Sequence, residues 1–481
     1  MPISKELSKM TAIDDGPVTG AGAPGRDGVH FPMRDRLHVP RERYFDRGFY
    51  ELEQRKLWSR TWQMACRLEE IPEPHDFVEY EICGWSILLV RQPDRSVRAL
   101  HNACRHRATQ LEKGSGRLAG GQIVCPFHGW RWNVDGTNSF VYGASGFAPE
   151  CLRPEDLRLR QCKVELWGGC AWINLDPDAG PLHEALHPVA DLLESIAIGN
   201  WQVKWWKEVV LHANWKLAQE AFMEGYHVPQ THPQLAGGLS VEDFPVDLNH
   251  YDVFEGGHSS FGRKVTGKRY MSVDMLVLAG QLLSDGQDAM TLERDLTVFE
   301  GLRNKLGPGQ DIGAVAADAL RDHAKGAGIP WPEGLEDSPL FFGGEVFVFP
   351  NLFFLPQYNN CLSYRIRPYG DDPEWCRFEV WSLTTYPATE QRPRAEKLGR
   401  FDKDDSEHWG LIPMQDFSNI ERQQAGLHSV GFEETRLATE WENAIGNMHV
   451  ELDRRLARDQ TPTRRSPQGR GRTARATRRV E

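Results

Sequence analysis

Two cysteine–histidine pairs carry the clearest chemistry in this chain of 481 residues: Cys104-Arg-His106, then 18 residues, then Cys125-Pro-Phe-His128. Nine cysteines and 17 histidines give about 0.3 chance pairs at any one offset, so two pairs in one short window are an accident on the order of 1%. Thiolate and imidazole together are metal ligands. Structural zinc usually draws two cysteines from one knuckle and two histidines from a helix, whereas here each loop supplies one of each. A Rieske [2Fe–2S] centre needs that division, with both thiolates on one iron and both imidazoles on the other. Neutral imidazoles in place of anionic thiolates raise the potential of such a cluster to roughly −150 to +300 mV, which suits it to take one electron and pass it on.

A second constellation lies further along, in Glu224-Gly-Tyr226-His227-Val-Pro-Gln-Thr-His232. Non-haem Fe(II) oxygenases hold iron by two histidines and one carboxylate on a single face. Five residues along a straight helix would leave the two rings about 140° apart. Pro229 lies between them and breaks the helix, so the chain can bend until both rings reach one metal. The third ligand should be a distant carboxylate. By residue type alone Asp402, Asp404, Asp405 and Asp416 are equal candidates, and each is also ordinary solvated surface. Glu224, three residues before His227, shares its helical face and is otherwise an exposed helix carboxylate.

The stretch HNACRHRATQLEKGSGRLAGGQIVCPFHGWRWNVDG, with Gly129-Trp130 after the second histidine, resembles the Rieske domain of ring-hydroxylating oxygenases. The gap between its pairs is about one residue longer than is usual there, which a surface loop absorbs. Asn214-Trp215-Lys216, followed by Glu220, Glu224, Tyr226, His227 and His232, resembles that family's iron-binding stretch, with Ala221 where an asparagine is frequent. Met414-Gln415-Asp416 and the residues to Gly426 resemble its D-x-x-x-x-E-x-x-Q-x-G segment; this implies that Asp416 is the third ligand and Glu421 is not. The resemblance also implies that Glu224 links His227 to the cluster ligand His128 of a neighbouring subunit.

The fold so implied is α+β: an all-β Rieske domain inserted in a helix-grip (START-like) catalytic domain with a curved antiparallel sheet. The activity so implied is that of a terminal oxygenase component. It would hold a [2Fe–2S] cluster and mononuclear Fe(II), with O₂ as co-substrate. Electrons would come from NAD(P)H through an external reductase, directly or by way of a ferredoxin. The assembly would be a homotrimer, or α3β3 with a β subunit. The substrate would be an aromatic or other hydrophobic ring compound, as in aromatic hydrocarbon catabolism. A monooxygenase or demethylase acting on a methylated amine or ether is the alternative within the class. A non-catalytic electron-transfer or ligand-binding protein is the alternative outside it.

These residues need positioning elements. Residues 1–40 read as a flexible leader, 60–176 as the Rieske domain, 41–59 and 177–456 as the catalytic domain, and 457–481 as a disordered basic tail. Apolar spacing from Arg41 to Trp62 predicts one amphipathic helix, and the alternation over residues 75–100 predicts a hairpin with a Pro-Asp turn. Late strands predict an antiparallel sheet, and the segment through Leu456 a final helix. Phe222, Met223 and the aromatic FFGGEVFVFPNLFF stretch line a pocket or simply fill the core.

Gly20-Ala-Gly22-Ala-Pro-Gly25 fits a dinucleotide fingerprint but has turn chemistry on both flanks, so no nucleotide site is expected. That agrees with an external reductase. Net charge is −12; the segment from Arg464 contributes +6, leaving −18 for the body, which argues against a nucleic-acid surface. No run of about 18 apolar residues and no signal-peptide core are present, and the cysteines are too scattered for a secreted disulfide scaffold. A cytoplasmic location without membrane or nucleic-acid partners is therefore expected.

Overall fold

The computed structural model describes residues 28–235, 249–263, 272–305, 307 and 310–457. The glycine-rich leader motif and the basic tail lie outside the described residues. No helix among the described residues is long and apolar enough to cross a membrane.

The cluster-motif region is built of three small sheets. Strands Asp76–Ile82, Trp85–Arg91 and Val97–His101 form a meander, with Ser115–Arg117 on the far side of the first. The expected hairpin is thus three-stranded. Besides the Pro93-Asp94 turn, a two-residue Cys83-Gly84 turn with φ of 49° and 76° joins the first two strands. Both positive angles match the twist of a tight hairpin, and periodicity alone hides so short a connection. Strands Gln122–Val124, Arg131–Asn133 and Asn138–Phe140 make the second sheet, and Gln63–Arg67, Cys170–Asn174 and Lys163–Trp167 the third. Leu88, Val90, Leu100, Ile123 and Trp132 form the core beneath both cysteine–histidine loops.

The catalytic sheet has eight strands: β1 (Gln202–Leu211), β2 (Asn249–Val253), β3 (Ser259–Arg263), β4 (Gly344–Val348), β5 (Leu352–Gln357), β6 (Asn360–Pro368), β7 (Cys376–Thr384) and β8 (Gly399–Arg400). Their order is β2-β3-β4-β5-β6-β7-β1-β8, antiparallel except for the short β1–β8 pairing. One face, through Phe347, Phe353, Tyr364 and Phe378, packs against helices α1 (Trp215–Glu220), α3 (Leu411–Leu427) and α4 (Asn443–Ala457). The other, through Val346, Phe354 and Trp381, packs against Leu186, Leu192, Phe299 and Leu320. A short helix α2 (Val228–Thr231) follows α1.

The helix expected over Arg41–Trp62 is instead three pieces: a 3₁₀ turn Arg41–Tyr44, an α-helix Arg47–Glu53 and a π turn Gln54–Trp58. Asp46 accepts a hydrogen bond from the Phe49 amide and starts a new helix there, an N-cap that apolar spacing does not reveal.

A buried charge network ties the two regions together. Arg365 and Arg367 both donate to Glu379 Oε2 at 2.8 Å. Arg365 also donates to the Met64 and Ala65 carbonyls, and Arg367 to that of Glu81. Burial disfavours the Glu379 carboxylate, but Arg365, Arg367, Lys397 and Arg377 outweigh it and hold its pKa well below the usual range. Its contribution to stability is therefore present above the ordinary carboxylate pKa and is lost only as pH falls through the depressed one. Glu379→Ala leaves two buried guanidiniums without their carboxylate and should cost about 3–5 kcal/mol in denaturant unfolding. A loss below 1 kcal/mol would show that the network adds nothing to the join.

Candidate metal centres

The two cysteine–histidine loops share one hydrogen-bonded frame. Cys104 N donates to Thr109 O and Cys125 N to Trp130 O, both at 2.8 Å. Ala108 N returns to Cys104 O and Gly129 N to Cys125 O, both at 3.0 Å. Each return needs a left-handed residue, Ala108 at φ 60° and Gly129 at φ 69°; the second is free of strain because glycine has no Cβ. Both thiols are buried, and burial together with the neighbouring Cys125 thiol pushes the Cys104 thiol up. Two thiols so placed resist ionising together unless a cation lies between them.

The His106 and His128 rings are 4.8 Å apart, and His106 is stacked on Trp130 at 4.9 Å. His106 Nδ1 is buried and has no hydrogen-bond partner. A buried ring nitrogen left free is the mark of a missing partner, and a metal ion is the partner that fits. Among the described residues, the groups whose ligand atoms converge within 4.8 Å do not include these four, so they do not close around a single ion. Two neighbouring thiols and two neighbouring imidazoles are the ligand types that a two-iron cluster of this kind takes. His101, beside the first pair, contacts Cys162 Sγ at 3.5 Å and stays outside this arrangement.

The second centre is assembled by α1, α2 and α3. Asn214 caps α1 by accepting from the Lys216 amide, and α1 is buried along its whole length. The chain then turns through residues 221–227. His227 is the N-cap of α2 and His232 its C-cap, so a single helical turn carries a ring at each end. Pro229 lies in the first turn of α2, where its missing N–H costs nothing; it begins this helix and does not break an earlier one. Asp416 comes from the middle of α3 and lies 2.9 Å from His232 Nε2 and 3.7 Å from His227 Nε2. All three side chains offer ligand atoms within 4.8 Å of one another. Two imidazoles and a carboxylate at this separation fit a facial iron site. The competing acids are elsewhere: Asp404 pairs with Lys403, Asp405 with His408, and Glu421 accepts from the His212 amide.

Both histidines are oriented from behind. Glu224 lies in the 221–227 turn, off any helical face. It nevertheless accepts from the His227 amide at 3.0 Å and meets its ring Nδ1 at 2.7 Å. Burial disfavours the His227 imidazolium, but Glu224 and then Asp416 reverse this and raise its pKa. His232 Nδ1 meets Gln415 Oε1 at 2.9 Å, and the same oxygen accepts from Gln234. With Nδ1 engaged, each Nε2 faces the centre. Gln415 was not singled out in the sequence; its position next to Asp416 was the available signal. On the outer side Ala221, Glu224, His227, Thr231, Asp416 and Asn419 line a cavity of about 300 Å³.

Comparison with known proteins agrees with this geometry. Residues 198–458 match the family described as the ring hydroxylating alpha subunit (catalytic domain), and residues 61–141 match the Rieske [2Fe-2S] domain. The carnitine monooxygenase oxygenase subunit of Acinetobacter baumannii is 28% identical over 207 residues, 43% of this chain and 55% of that protein. The 2-aminobenzenesulfonate 2,3-dioxygenase subunit alpha of Alcaligenes sp. is 28% identical over 229 residues, 46% of this chain and 56% of that protein. The chain thus spans about half the length of the curated relatives it matches. Among solved structures, naphthalene 1,2-dioxygenase from Rhodococcus sp. bound to indole superimposes with a TM-score of 0.60 at 18% identity, covering 88% of this chain and 95% of that one.

Proposed function

The chain belongs to the ring-hydroxylating oxygenase alpha-subunit family, and on that premise we propose that it is the terminal component of a multicomponent Rieske oxygenase. The observation that carries this reading is the convergence of His227, His232 and Asp416 in a chain that also holds paired thiols and paired imidazoles. Cys104, Cys125, His106 and His128 would hold the [2Fe–2S] cluster, and His227, His232 and Asp416 the mononuclear iron. The metals would supply one-electron transfer and reduction of O₂ at an open coordination face. Residues 60–176 would form the cluster domain, and 41–59 with 177–456 the catalytic one.

The protein's own side chains set the conditions. Glu224 keeps the His227 proton on Nδ1 and leaves Nε2 to the metal; Gln415 fixes the His232 ring in the same way. Phe222, Tyr364, Phe378 and Phe417 wall the inner side of Asp416 and keep water from it. Glu224 also borders the outer cavity. There we assign it to meet His128 of the partner subunit in a trimer, completing a path between centres on different chains. Electrons would come from an external reductase, directly or through a ferredoxin. Two substrate classes suit aromatic walls: a ring compound, and a methylated amine such as the carnitine relative's name indicates.

Purified enzyme should carry about three irons per chain, two in the cluster and one mononuclear. With ¹⁸O₂ and a substrate panel, one labelled atom in the product marks a monooxygenase and two a dioxygenase. Zinc in place of iron, or no labelled product across the panel, would overturn the oxygenase reading.

A further inference from the structure

The helix that supplies Asp416 carries two further polar residues with no part in the triad, Glu421 and Gln424. Gln424 is only 1% exposed, on the stripe Asp416, Ile420, Gln424 that recurs every fourth residue of α3 and is buried at each position. An aliphatic side chain would fill that place without polar cost, because a buried amide is costly unless both of its ends are hydrogen-bonded. Both ends of Gln424 are engaged. Its Oε1 accepts from the Asn214 amide at 2.9 Å, and its Nε2 donates to Glu374 Oε2 at 2.8 Å. Asn214 is buried too; it caps α1 through its side-chain oxygen and donates from Nδ2 to the Pro373 carbonyl at 2.8 Å. Gln424 and Asn214 thus join three pieces of chain at one node: the end of α3, the start of α1, and the β6–β7 turn with Pro373 and Glu374.

The node is the far end of a lacing that runs along α3. Further back on the helix, Glu421 accepts from the His212 amide at 3.0 Å, and Asn419 donates to Thr231 Oγ1 of α2 at 3.2 Å. Asp416 and Gln415 then meet His232, each at 2.9 Å. The C-terminal part of α3 is therefore tied to the start of the segment 212–232, and its middle to the end of that segment. At 1.5 Å per residue, Gln424 lies about 12 Å along the helix from Asp416. The two histidines follow α1 and the carboxylate comes from α3, so the register of α3 against α1 sets the gap between the ligands. A misplacement of about 1 Å costs on the order of 100-fold in a constellation of this kind.

Resting on the reading of His227, His232 and Asp416 as an iron triad, we propose that Gln424 is a positioning residue, with Glu421 as its second tie. It holds α3 in register with α1, so that Asp416 stands at ligand distance from both histidines. None of the node's hydrogen bonds touches a ligand. Their effect reaches the metal through the two helices alone, so the affinity of the centre for iron depends on an amide two helical turns away.

The test is competition for the mononuclear iron between the anaerobic holoenzyme and a ferrous chelator. Gln424→Glu keeps the size and the acceptor for the Asn214 amide but sets a second carboxylate against Glu374. It should lower the affinity of the centre by about tenfold or more, the scale typical of partners outside the ligand set, and leave the visible cluster bands unchanged. Adding Glu374→Gln restores the node with donor and acceptor exchanged, and should bring the affinity back to within about threefold of wild type. Gln424→Met is of similar length and adds no charge; it should also lose about tenfold, and it stands in for the glutamate variant if that one does not fold. Wild-type affinity in either single variant overturns the proposal, whatever happens to the unfolding temperature, and so does a loss that Glu374→Gln does not recover. The triad itself is read first, on the unaltered protein: if that holds no mononuclear iron, the oxygenase reading falls and this proposal with it.

Discussion

Asp416→Ala is expected to abolish turnover while leaving the visible absorption of the cluster unchanged. Asp416 is the one anionic member of the converging triad, 2.9 Å from His232 Nε2 and 3.7 Å from His227 Nε2. Without it the centre is two neutral imidazoles, which bind a divalent ion weakly. Losing an outer-shell partner typically costs 10–100-fold, so losing a ligand should exceed about 100-fold in both iron occupancy and rate. Asp416→Asn preserves shape without charge and should fail nearly as badly, which separates ligation from packing against Phe417 and Ile420. His232→Ala should match Asp416→Ala. If Asp416→Ala keeps its mononuclear iron and its rate, the third ligand lies elsewhere.

What the sequence reveals of these centres depends on how local each determinant is. The cysteine–histidine pairs are legible because ligand type and spacing sit within a few residues of one another. The left-handed Ala108 that lets both loops adopt one frame is not, since alanine carries no signal for positive φ. His227 and His232 are legible as ligands, but they are joined by the single helical turn α2, which Pro229 begins and does not break. Asp416 lies on a distant helix, and residue type alone could not choose it over Asp402, Asp404 or Asp405. Resemblance chose it, and the fold brings its carboxylate within 4.8 Å of both histidines. The helices and the antiparallel sheet followed from periodicity, whereas the Asp46 cap and the Cys83-Gly84 turn divided elements that periodicity reads as continuous.

Glu224→Gln should leave both metal centres loaded and the cluster reducible, yet slow substrate-dependent oxidation of the reduced cluster by at least about tenfold. In the native site one Glu224 oxygen accepts from the His227 amide and the other meets its ring Nδ1. A carboxylate has lone pairs to spare on both oxygens for a second imidazole, whereas glutamine has one acceptor oxygen and an NH₂ that repels a ring N–H. The ring at the iron and the ring at the cluster then cannot both be held by the same group. A wild-type rate in this single-turnover measurement would leave Glu224 as a local support for His227 and nothing more. Co-assembly tests the direction of the path. Cys104→Ser chains lack the cluster and Asp416→Ala chains lack the mononuclear iron, so each alone is inactive. In a mixed ring about a quarter of the interfaces would place a working cluster beside a working iron centre on the next chain. Activity in the mixture therefore requires transfer between subunits, and a mixture as dead as its parents would confine the electron to one chain.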